Sequence, residues 1–188
     1  MDTTAGGVST ASGYTAKAID QEGRAAYDPG VKMKVYLETT VVSYLTALPA
    51  RDLVRTAHQQ LTFEWWRTRD RFDLFVSEAV LQEAAAGDKE AAARRLAALE
   101  GVPVLSAPQS ATDLVRSLIR DHAVPTAAAV DALHIAVAAV HGMDFLLTWN
   151  CTHIANAATR GPIERTCRSA GLSPPVICTP EELMEEWQ

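Results

Sequence analysis

Hydrophobic residues along the chain form five short runs that predict β-strands. Each run is rich in Val, Leu, Ile or Phe and is bounded by charged or turn-forming residues, a pattern that is typical of strands. The runs cover residues 34–37, 72–77, 102–105, 145–149 and 176–178. The fourth begins with the apolar residues FLL, so we expect it to be a buried strand.

Between these runs, apolar residues recur at helical intervals, which predicts α-helices. The expected helices cover residues 39–48, 50–71, 77–87, 88–101, 110–122, 126–141, 162–170 and 180–187. Local signals mark several of their ends: a Thr near the start of the first, Ser77 as the cap of the third, Pro162 as the first residue of the seventh, and Thr179 as the cap of the last. The helix over 126–141 is unusually apolar and should be buried.

Strands that alternate with helices predict a three-layer α/β/α fold around a mostly parallel central sheet of about five strands. The first 32 residues differ from the rest, because they are rich in Gly, Ala, Ser and Thr, lack periodicity and end near the breaker pair Pro29-Gly30. We therefore expect a disordered N-terminal extension over 1–32 and one folded domain over 33–188.

Composition and charge narrow the class of protein. The chain has 188 residues, of which 48% are hydrophobic and 6% aromatic, so an interior rich in Ala, Val and Leu is expected. No stretch approaches the roughly 18 apolar residues that span a bilayer, which predicts a soluble protein. The three cysteines lack metal-type spacing, which favours a cytoplasmic location.

The net charge of −6 argues against binding nucleic acid by charge alone, although it permits a local basic groove. Such a groove could draw on the first half of the chain, where arginine is frequent. The arginines concerned are Arg51, Arg55, Arg67, Arg69, Arg71, Arg94 and Arg95.

Four polar side chains are candidates for a site at the carboxyl edge of the sheet, where open parallel sheets bind ligands. Glu38 follows the first strand directly and Asn150 follows the fourth. Glu83 lies on the helix after the second strand, and Asp131 lies early in the apolar helix over 126–141. Since an unpaired buried carboxylate is costly, a divalent cation such as Mg²⁺ or Mn²⁺ is one way to neutralise the group. Such an ion activates water and neutralises a phosphodiester during hydrolysis.

Each candidate also has a purely structural interpretation. Asp131 could serve the dipole of its helix, Glu83 could be a surface residue, Glu38 a turn residue and Asn150 a loop-forming residue. His134 lies three residues after Asp131 on nearly the same helix face, so it either approaches the site or is a hydrogen-bonded core histidine.

Three segments resemble the PIN-domain family, especially the VapC-like toxins of bacterial type II toxin–antitoxin pairs. They read KVYLETTVVSYL, FVSEAVLQEAAAG and VDALHIAVAAVHGMDFLLTWNCTHIANA, and the resemblance extends from about Met33 to the C-terminus. It is strongest in the third segment, where DALHIA matches a family motif that opens on an Asp. The resemblance implies a PIN-like domain over 33–188.

The family pattern assigns roles to the same candidates. The resemblance implies metal-binding and catalytic roles for Glu38, Glu83, Asp131 and Asn150, with Glu78 as an alternative to Glu83. The Ser or Thr that follows the first acidic residue of the family falls on Thr40, which would hydrogen-bond the metal shell or a substrate phosphate. His153 would contact RNA phosphate, help to protonate a leaving group, or cap local structure.

The resemblance implies a Mg²⁺- or Mn²⁺-dependent endoribonuclease that hydrolyses RNA, paired with a small antitoxin protein. It also implies homodimers, to which Trp65 and Trp66 could contribute unless they pack in the core. Two departures leave an alternative open, because the family usually has Asp where this chain has Glu38 and Asn150. That alternative is a catalytically weakened PIN-fold protein that binds RNA or acts as a regulator.

Overall fold

The strands form one sheet, close to where the hydrophobic runs predict them. The computed structural model describes residues 32–185. The predicted extension over 1–32 therefore lies outside the described residues, apart from Lys32. The last two residues of the predicted final helix also lie outside them. The strands are β1 (Met33–Leu37), β2 (Phe72–Ser77), β3 (Val104–Leu105), β4 (Phe145–Leu147) and β5 (Val176–Cys178). Their order is β3-β2-β1-β4-β5, and every neighbouring pair is parallel, which confirms the predicted parallel sheet.

Helices flank this sheet. They are α1 (Thr39–Thr46), α2 (Leu53–Trp66), α3 (Glu78–Ala85), α4 (Lys89–Ala98), α5 (Gln109–Arg120), α6 (Ala129–Val140), α7 (Ala157–Ser169) and α8 (Pro180–Glu185), with short 3-10 helices at Arg69–Arg71 and Thr126–Ala128. Within residues 32–185, none of these helices combines the length and the hydropathy required to cross a bilayer.

The strand order assigns the helices to two faces. The chain runs from β1 to β2 to β3 in one direction, then returns across the sheet to β4 and β5. Since crossovers between parallel strands are right-handed, the helices of the outward and return paths lie on opposite faces. The helices α1 to α4 pack together, and α5 packs on α6 and α7. This arrangement is the predicted three-layer α/β/α fold.

Side-chain caps explain where several helices begin. Ser77 accepts the Val80 N–H (3.4 Å) and so caps α3, as predicted. Thr179 accepts the Glu182 N–H (3.3 Å), while the Glu182 carboxylate accepts the Thr179 N–H (2.8 Å), and this reciprocal pair confirms the predicted start of α8. These caps fix the direction in which each helix leaves the sheet.

The prediction that the seventh helix begins at Pro162 is wrong. The Asn156 side chain accepts the Ala158 N–H (2.9 Å) and caps α7, so the helix begins at Ala157, five residues earlier than predicted, and Pro162 lies inside it. A side-chain cap that satisfies a free N–H therefore outweighs the preference of proline for a first helical position.

The strand β4 is also shorter than predicted. It ends at Leu147 rather than Trp149, because the chain turns away from the sheet there. The Trp149 N–H donates to the Thr40 hydroxyl (2.8 Å) and the Asn150 N–H donates to the Thr148 hydroxyl (2.9 Å), so these groups are satisfied by side chains instead of a neighbouring strand. Asn150 therefore lies three residues beyond the strand.

The chain reverses its path across the sheet between β1 and β4, which is where open α/β sheets bind ligands. Leu37 at the end of β1 is in register with Leu147 at the end of β4. The predicted burial of the apolar helix is confirmed, since residues 134–139 of α6 are buried. Residues just after β1 and β4, and residues on α3 and α6, are thereby brought to one edge.

Candidate active site

Glu38 is held at the end of β1 by three hydrogen bonds. Its carboxylate accepts the N–H of Thr40 (3.1 Å), the hydroxyl of Thr40 and the hydroxyl of Thr148 (2.6 Å). A Thr lies near the start of α1, as predicted, because Thr39 is its first residue, while Glu38 occupies the cap position. Glu38 is buried, and all three bonds reach Oε2, so the other carboxylate oxygen is not engaged by them.

Glu83 projects from α3 toward the same edge, and its side chain is 39% exposed. Its Oε2 accepts the Thr39 hydroxyl and lies 3.0 Å from Nε2 of His134. Burial raises the pKa of Glu83, but the hydrogen bonds from His134 and Thr39 and the charge of His134 together lower that pKa below its ordinary value. Glu83 is therefore held in its ionised form, which is the form that binds a cation.

A buried chain of hydrogen bonds supports Glu83 from below. His134 is fully buried, and its Nδ1 lies 2.8 Å from the Tyr36 hydroxyl, which in turn lies 2.7 Å from the Ser77 hydroxyl. Burial raises the pKa of the Tyr36 phenol, and the negative charges of Glu38 and Glu83 raise it further, although the Ser77 bond lowers it. The phenol therefore keeps its proton and has one hydrogen to donate.

Glu38, Glu83 and His134 converge. Each offers one ligand atom, and the three atoms lie within 4.8 Å of one another. Two carboxylate oxygens and an imidazole nitrogen form a donor set that suits a divalent cation. The residues present therefore fit the metal that the sequence predicts.

Asp131 and Asn150 form a second group beside these three. The Asn150 amide donates to Asp131 Oδ1 (3.0 Å), and Asp131 Oδ2 lies 2.8 Å from His153 Nδ1. The His153 N–H donates to the Asn150 amide oxygen (3.1 Å). The structure thus brings Asp131, Asn150 and His153 together, and Asp131 is not one of the three residues whose ligand atoms lie within 4.8 Å of one another.

Thr148 and Thr40 connect the two groups. The Thr148 hydroxyl donates to Glu38 and accepts the Asn150 N–H (2.9 Å). The Thr40 hydroxyl donates to Glu38 and accepts the Trp149 N–H. Both hydroxyls therefore orient the Glu38 carboxylate, while a role of Thr40 toward a metal or a phosphate stays a prediction.

Sequence reasoning missed Thr39, Tyr36 and Thr148 and left His134 open. The sequence offered one signal for His134, which is its spacing of three residues from Asp131. This spacing places both residues on nearly the same face of α6. Glu78, the alternative to Glu83, is the exposed first residue of α3 and is not part of the three-residue group.

The contacts of several other side chains show that these residues have structural roles. Trp65 is fully buried, so the core interpretation of that residue is correct. Trp149 is buried too, where its Nε1 donates to the Thr62 hydroxyl (2.7 Å) and its ring stacks on His58. Arg94 and Arg95 donate to main-chain oxygens at the ends of α1 and α3, so these two arginines serve the fold.

Fold and site together define an α/β protein with a carboxylate and imidazole cluster at the carboxyl edge of a parallel sheet. The PIN domain family model matches residues 35–150, more than half of the 188-residue chain, and the chain belongs to the PIN domain family. The resemblance of the sequence to the PIN-domain family is thereby confirmed over residues 35–150. PIN domains are generally nucleases, which are hydrolases.

Among solved structures, the chain is similar to a chain in the crystal structure of VapBC2 from Rickettsia felis. In that structure VapBC2 is bound to a DNA fragment from its promoter. The sequence identity is 14%, the TM-score is 0.49, and the alignment covers 78% of this chain and 98% of that one. Comparison with curated proteins finds no match. The family assignment therefore rests on the match over residues 35–150.

Proposed function

We propose that the protein is a divalent-metal-dependent endoribonuclease that hydrolyses RNA phosphodiester bonds. The observation that carries the proposal is the convergence of the Glu38 and Glu83 carboxylates at the carboxyl edge of the sheet in a PIN domain. Their ligand atoms lie within 4.8 Å of each other, and Glu83 is kept ionised by its hydrogen bonds. Among residues 32–185, no ion pair joins Glu38 or Glu83 to an arginine or lysine, and two close carboxylates of this kind favour the binding of a divalent cation.

The ion is Mg²⁺ or Mn²⁺ in this proposal, with Glu38 and Glu83 as ligands and Asp131 and Asn150 completing the site. A bound divalent ion supplies polarisation of the phosphodiester and activation of water. The protein supplies position: Thr148 and Thr40 orient Glu38, Thr39 and His134 orient Glu83, and Asn150 orients Asp131. Thr40 lies beside Glu38, and its hydroxyl would bind a substrate phosphate by exchanging the hydrogen bond that it now donates to Glu38.

The resemblance of the three sequence segments to VapC-like toxins extends the proposal to a biological role. The protein would be the cytoplasmic toxin of a type II pair, and its partner would be a small antitoxin that covers the acidic site around Glu38 and Glu83. An Arg or Lys of the partner would form a charge-assisted hydrogen bond with the Glu83 carboxylate and so take the place of the cation. A neighbouring gene for a short DNA-binding protein is the expected finding, and its absence would count against the toxin role.

A homodimer is part of the same proposal. Leu53, Val54 and Phe63 on α2 are 83%, 61% and 52% exposed, whereas Trp65 on the same helix is fully buried. Exposed apolar residues clustered on one helix are typical of a subunit interface. Sedimentation of the wild-type chain and of a Leu53→Ser variant tests this, since we expect the variant to shift toward the monomer.

One observation favours the second candidate, a catalytically weakened PIN-fold protein that binds RNA or acts as a regulator. The Asn150 amide is engaged at both ends, because its nitrogen donates to Asp131 and its oxygen accepts from His153. Such an amide has less freedom to serve a metal than the Asp that the family usually has. Metal titration separates the two candidates, since the enzyme should bind Mn²⁺ at the pocket and the weakened protein should not.

The direct test is RNA cleavage by the purified chain with Mg²⁺ or Mn²⁺, repeated with EDTA. We expect cleavage that EDTA abolishes and that Glu83→Gln reduces by on the order of 100-fold or more, because the variant loses a charged ligand. Glu78→Gln is the matched control, since it removes an exposed carboxylate from the same helix. Cleavage that survives EDTA, or that Glu78→Gln and Glu83→Gln reduce equally, would contradict the proposal.

A further inference from the structure

We propose that His134 is itself a ligand of the divalent ion, through Nε2, beside Glu38 and Glu83, and that the site consequently holds Mn²⁺ in preference to Mg²⁺. The inference rests on the proposed function and deepens it, because it assigns a third ligand on α6 and predicts the preferred metal. It also changes the role of His134 from a partner of Glu83 to a residue that touches the ion.

The spacing of the three ligand atoms permits this arrangement. Small divalent ions such as Zn²⁺ and Mg²⁺ hold nitrogen and oxygen ligands at about 2.0–2.2 Å, so two atoms bound to the same ion of this size lie at most about 4.4 Å apart. The ligand atoms of Glu38, Glu83 and His134 already lie within 4.8 Å of one another. Small side-chain movements are therefore enough to bring all three onto one ion.

The surroundings of His134 resemble those of a metal-binding histidine. Such a residue usually makes a hydrogen bond with its other ring nitrogen, which fixes the orientation of the ring. Here Nδ1 lies 2.8 Å from the Tyr36 hydroxyl, and the two rings are tilted by 51° with centroids 5.9 Å apart. Because the ring is fully buried, Nε2 has one direction to face, and that direction is toward Glu83.

The Ser77–Tyr36 pair accommodates the tautomer that ligation requires. To bind an ion, Nε2 must be free of hydrogen, so Nδ1–H must donate to the Tyr36 oxygen. Tyr36 then donates its own hydrogen to Ser77, whose oxygen lies 2.7 Å away. Hydroxyl groups rotate to donate or accept, so the same atoms also serve the tautomer in which Nε2–H donates to Glu83.

The metal preference follows from the donor types. Carboxylate, carbonyl and water oxygens suit both Mg²⁺ and Mn²⁺, so they do not separate the two ions, whereas an imidazole nitrogen suits transition-metal ions better than it suits Mg²⁺. Mg²⁺ also demands near-ideal octahedral geometry and releases its waters reluctantly. A site with a buried imidazole fixed at one corner therefore favours Mn²⁺ over Mg²⁺.

Pulsed electron paramagnetic resonance of the full chain loaded with one equivalent of Mn²⁺ tests the inference without a cleavage assay. We expect a nitrogen coupling typical of a directly bound imidazole, and we expect uniform ¹⁵N labelling of histidine to replace the ¹⁴N pattern in the wild-type protein. His134→Gln should remove this coupling and weaken Mn²⁺ binding by about 10-fold or more. His153→Gln is the control, because His153 contacts Asp131 beside the site and its loss should leave the coupling in place.

A second variant covers the case in which His134→Gln fails to fold. Tyr36→Phe keeps His134 but removes the partner of Nδ1, so it should retain the nitrogen coupling while weakening Mn²⁺ binding by about 10-fold or more. Competition with Mg²⁺ tests the preference: we expect more than 10-fold excess of Mg²⁺ to be required to displace half of the Mn²⁺.

The possible results separate the inference from the proposed function. Stoichiometric Mn²⁺ binding without nitrogen coupling would overturn the ligand role of His134 and leave the carboxylate site intact. A coupling that is lost in His153→Gln and kept in His134→Gln would also overturn it. Failure of the wild-type chain to bind Mn²⁺ at all would overturn the metal-dependent function as well.

Discussion

Thr148 donates its hydroxyl hydrogen to the Glu38 carboxylate over 2.6 Å, although the two residues are 110 positions apart in the sequence. The bond joins the segments that follow β1 and β4, the two strands between which the chain reverses its path. Both residues are buried, so the bond is shielded from water and fixes the carboxylate relative to the sheet.

Replacing Thr148 with Val should destabilise the protein by about 1–3 kcal/mol, because the side chain keeps its shape but leaves a buried carboxylate and the Asn150 N–H short of a partner. The free energy of unfolding in urea with EDTA present measures the effect. Thr152→Val is the control at an exposed position of the following turn, where a change within about 0.5 kcal/mol is expected. Equal effects of the two substitutions would contradict the importance of the bond.

Replacing Tyr36 with Phe should also lower the free energy of unfolding by about 1–3 kcal/mol. The substitution keeps the packed ring but removes the hydroxyl that lies between His134 and Ser77, both of which are buried. Tyr44→Phe serves as the control, since the ring of Tyr44 contacts His58 at the surface of the core. A Tyr36→Phe protein as stable as Tyr44→Phe would show that the buried chain adds nothing to stability.

The contribution of Glu83 to stability should depend on pH. Although burial raises the pKa of Glu83, the hydrogen bonds from His134 and Thr39 bring it below its ordinary value of 4.5. A carboxyl with a lowered pKa in the folded state stabilises that state above its ordinary pKa, and the stabilisation is lost as pH falls through the folded pKa. The charged or titratable groups that face it are Glu38, His134 and Tyr36.

We therefore expect the melting temperature of the metal-free wild type to exceed that of Glu83→Gln by its full amount at about pH 6, and the difference to shrink as the pH falls below 4.5. Thermal unfolding in EDTA across this range measures it, and Glu78→Gln corrects for losing an acidic residue of the same helix. A difference in melting temperature that widened as the pH fell would contradict a lowered pKa of Glu83.

Replacing Asp131 with Ala should abolish metal-dependent RNA cleavage while the fold remains intact by circular dichroism. The substitution removes the carboxylate that accepts from Asn150 and contacts His153, so both side chains lose their orientation beside the proposed metal ligands. Asp113→Ala is the matched control, because Asp113 is an exposed acidic residue on the neighbouring helix α5. Unchanged cleavage by Asp131→Ala would remove Asp131 from the catalytic site.

Much of the fold could be predicted because its signals are local. Apolar runs separated by helical periodicity specify β1 to β5 and the helices between them, and β2 coincides with the run over 72–77. The errors arise where a side chain satisfies a main-chain group. Asn156 begins α7 ahead of Pro162, and the hydroxyls of Thr40 and Thr148 end β4 early.

The candidate site could be predicted only in part. Glu38 was identifiable from its place at a strand end, and Glu83 from its place on the helix after β2. His134 could not be assigned, because its environment depends on Tyr36, which lies 98 positions away and reads as an ordinary strand residue. The role of a side chain that depends on partners far away in the sequence is difficult to predict from a single sequence.

The position of Tyr36 has a consequence for how this chain can diverge. Tyr36 is fully buried on the central strand β1, and its hydroxyl makes a hydrogen bond with the imidazole of His134. A substitution of Tyr36 that fills the same space but lacks the hydroxyl would leave the buried His134 imidazole without this hydrogen-bond partner. A substitution of His134 would likewise remove a partner of the Tyr36 hydroxyl. Among homologous sequences, we therefore expect positions 36 and 134 to change together or not at all, so that sequence drift in the interior is tied to the chemistry at the edge of the sheet.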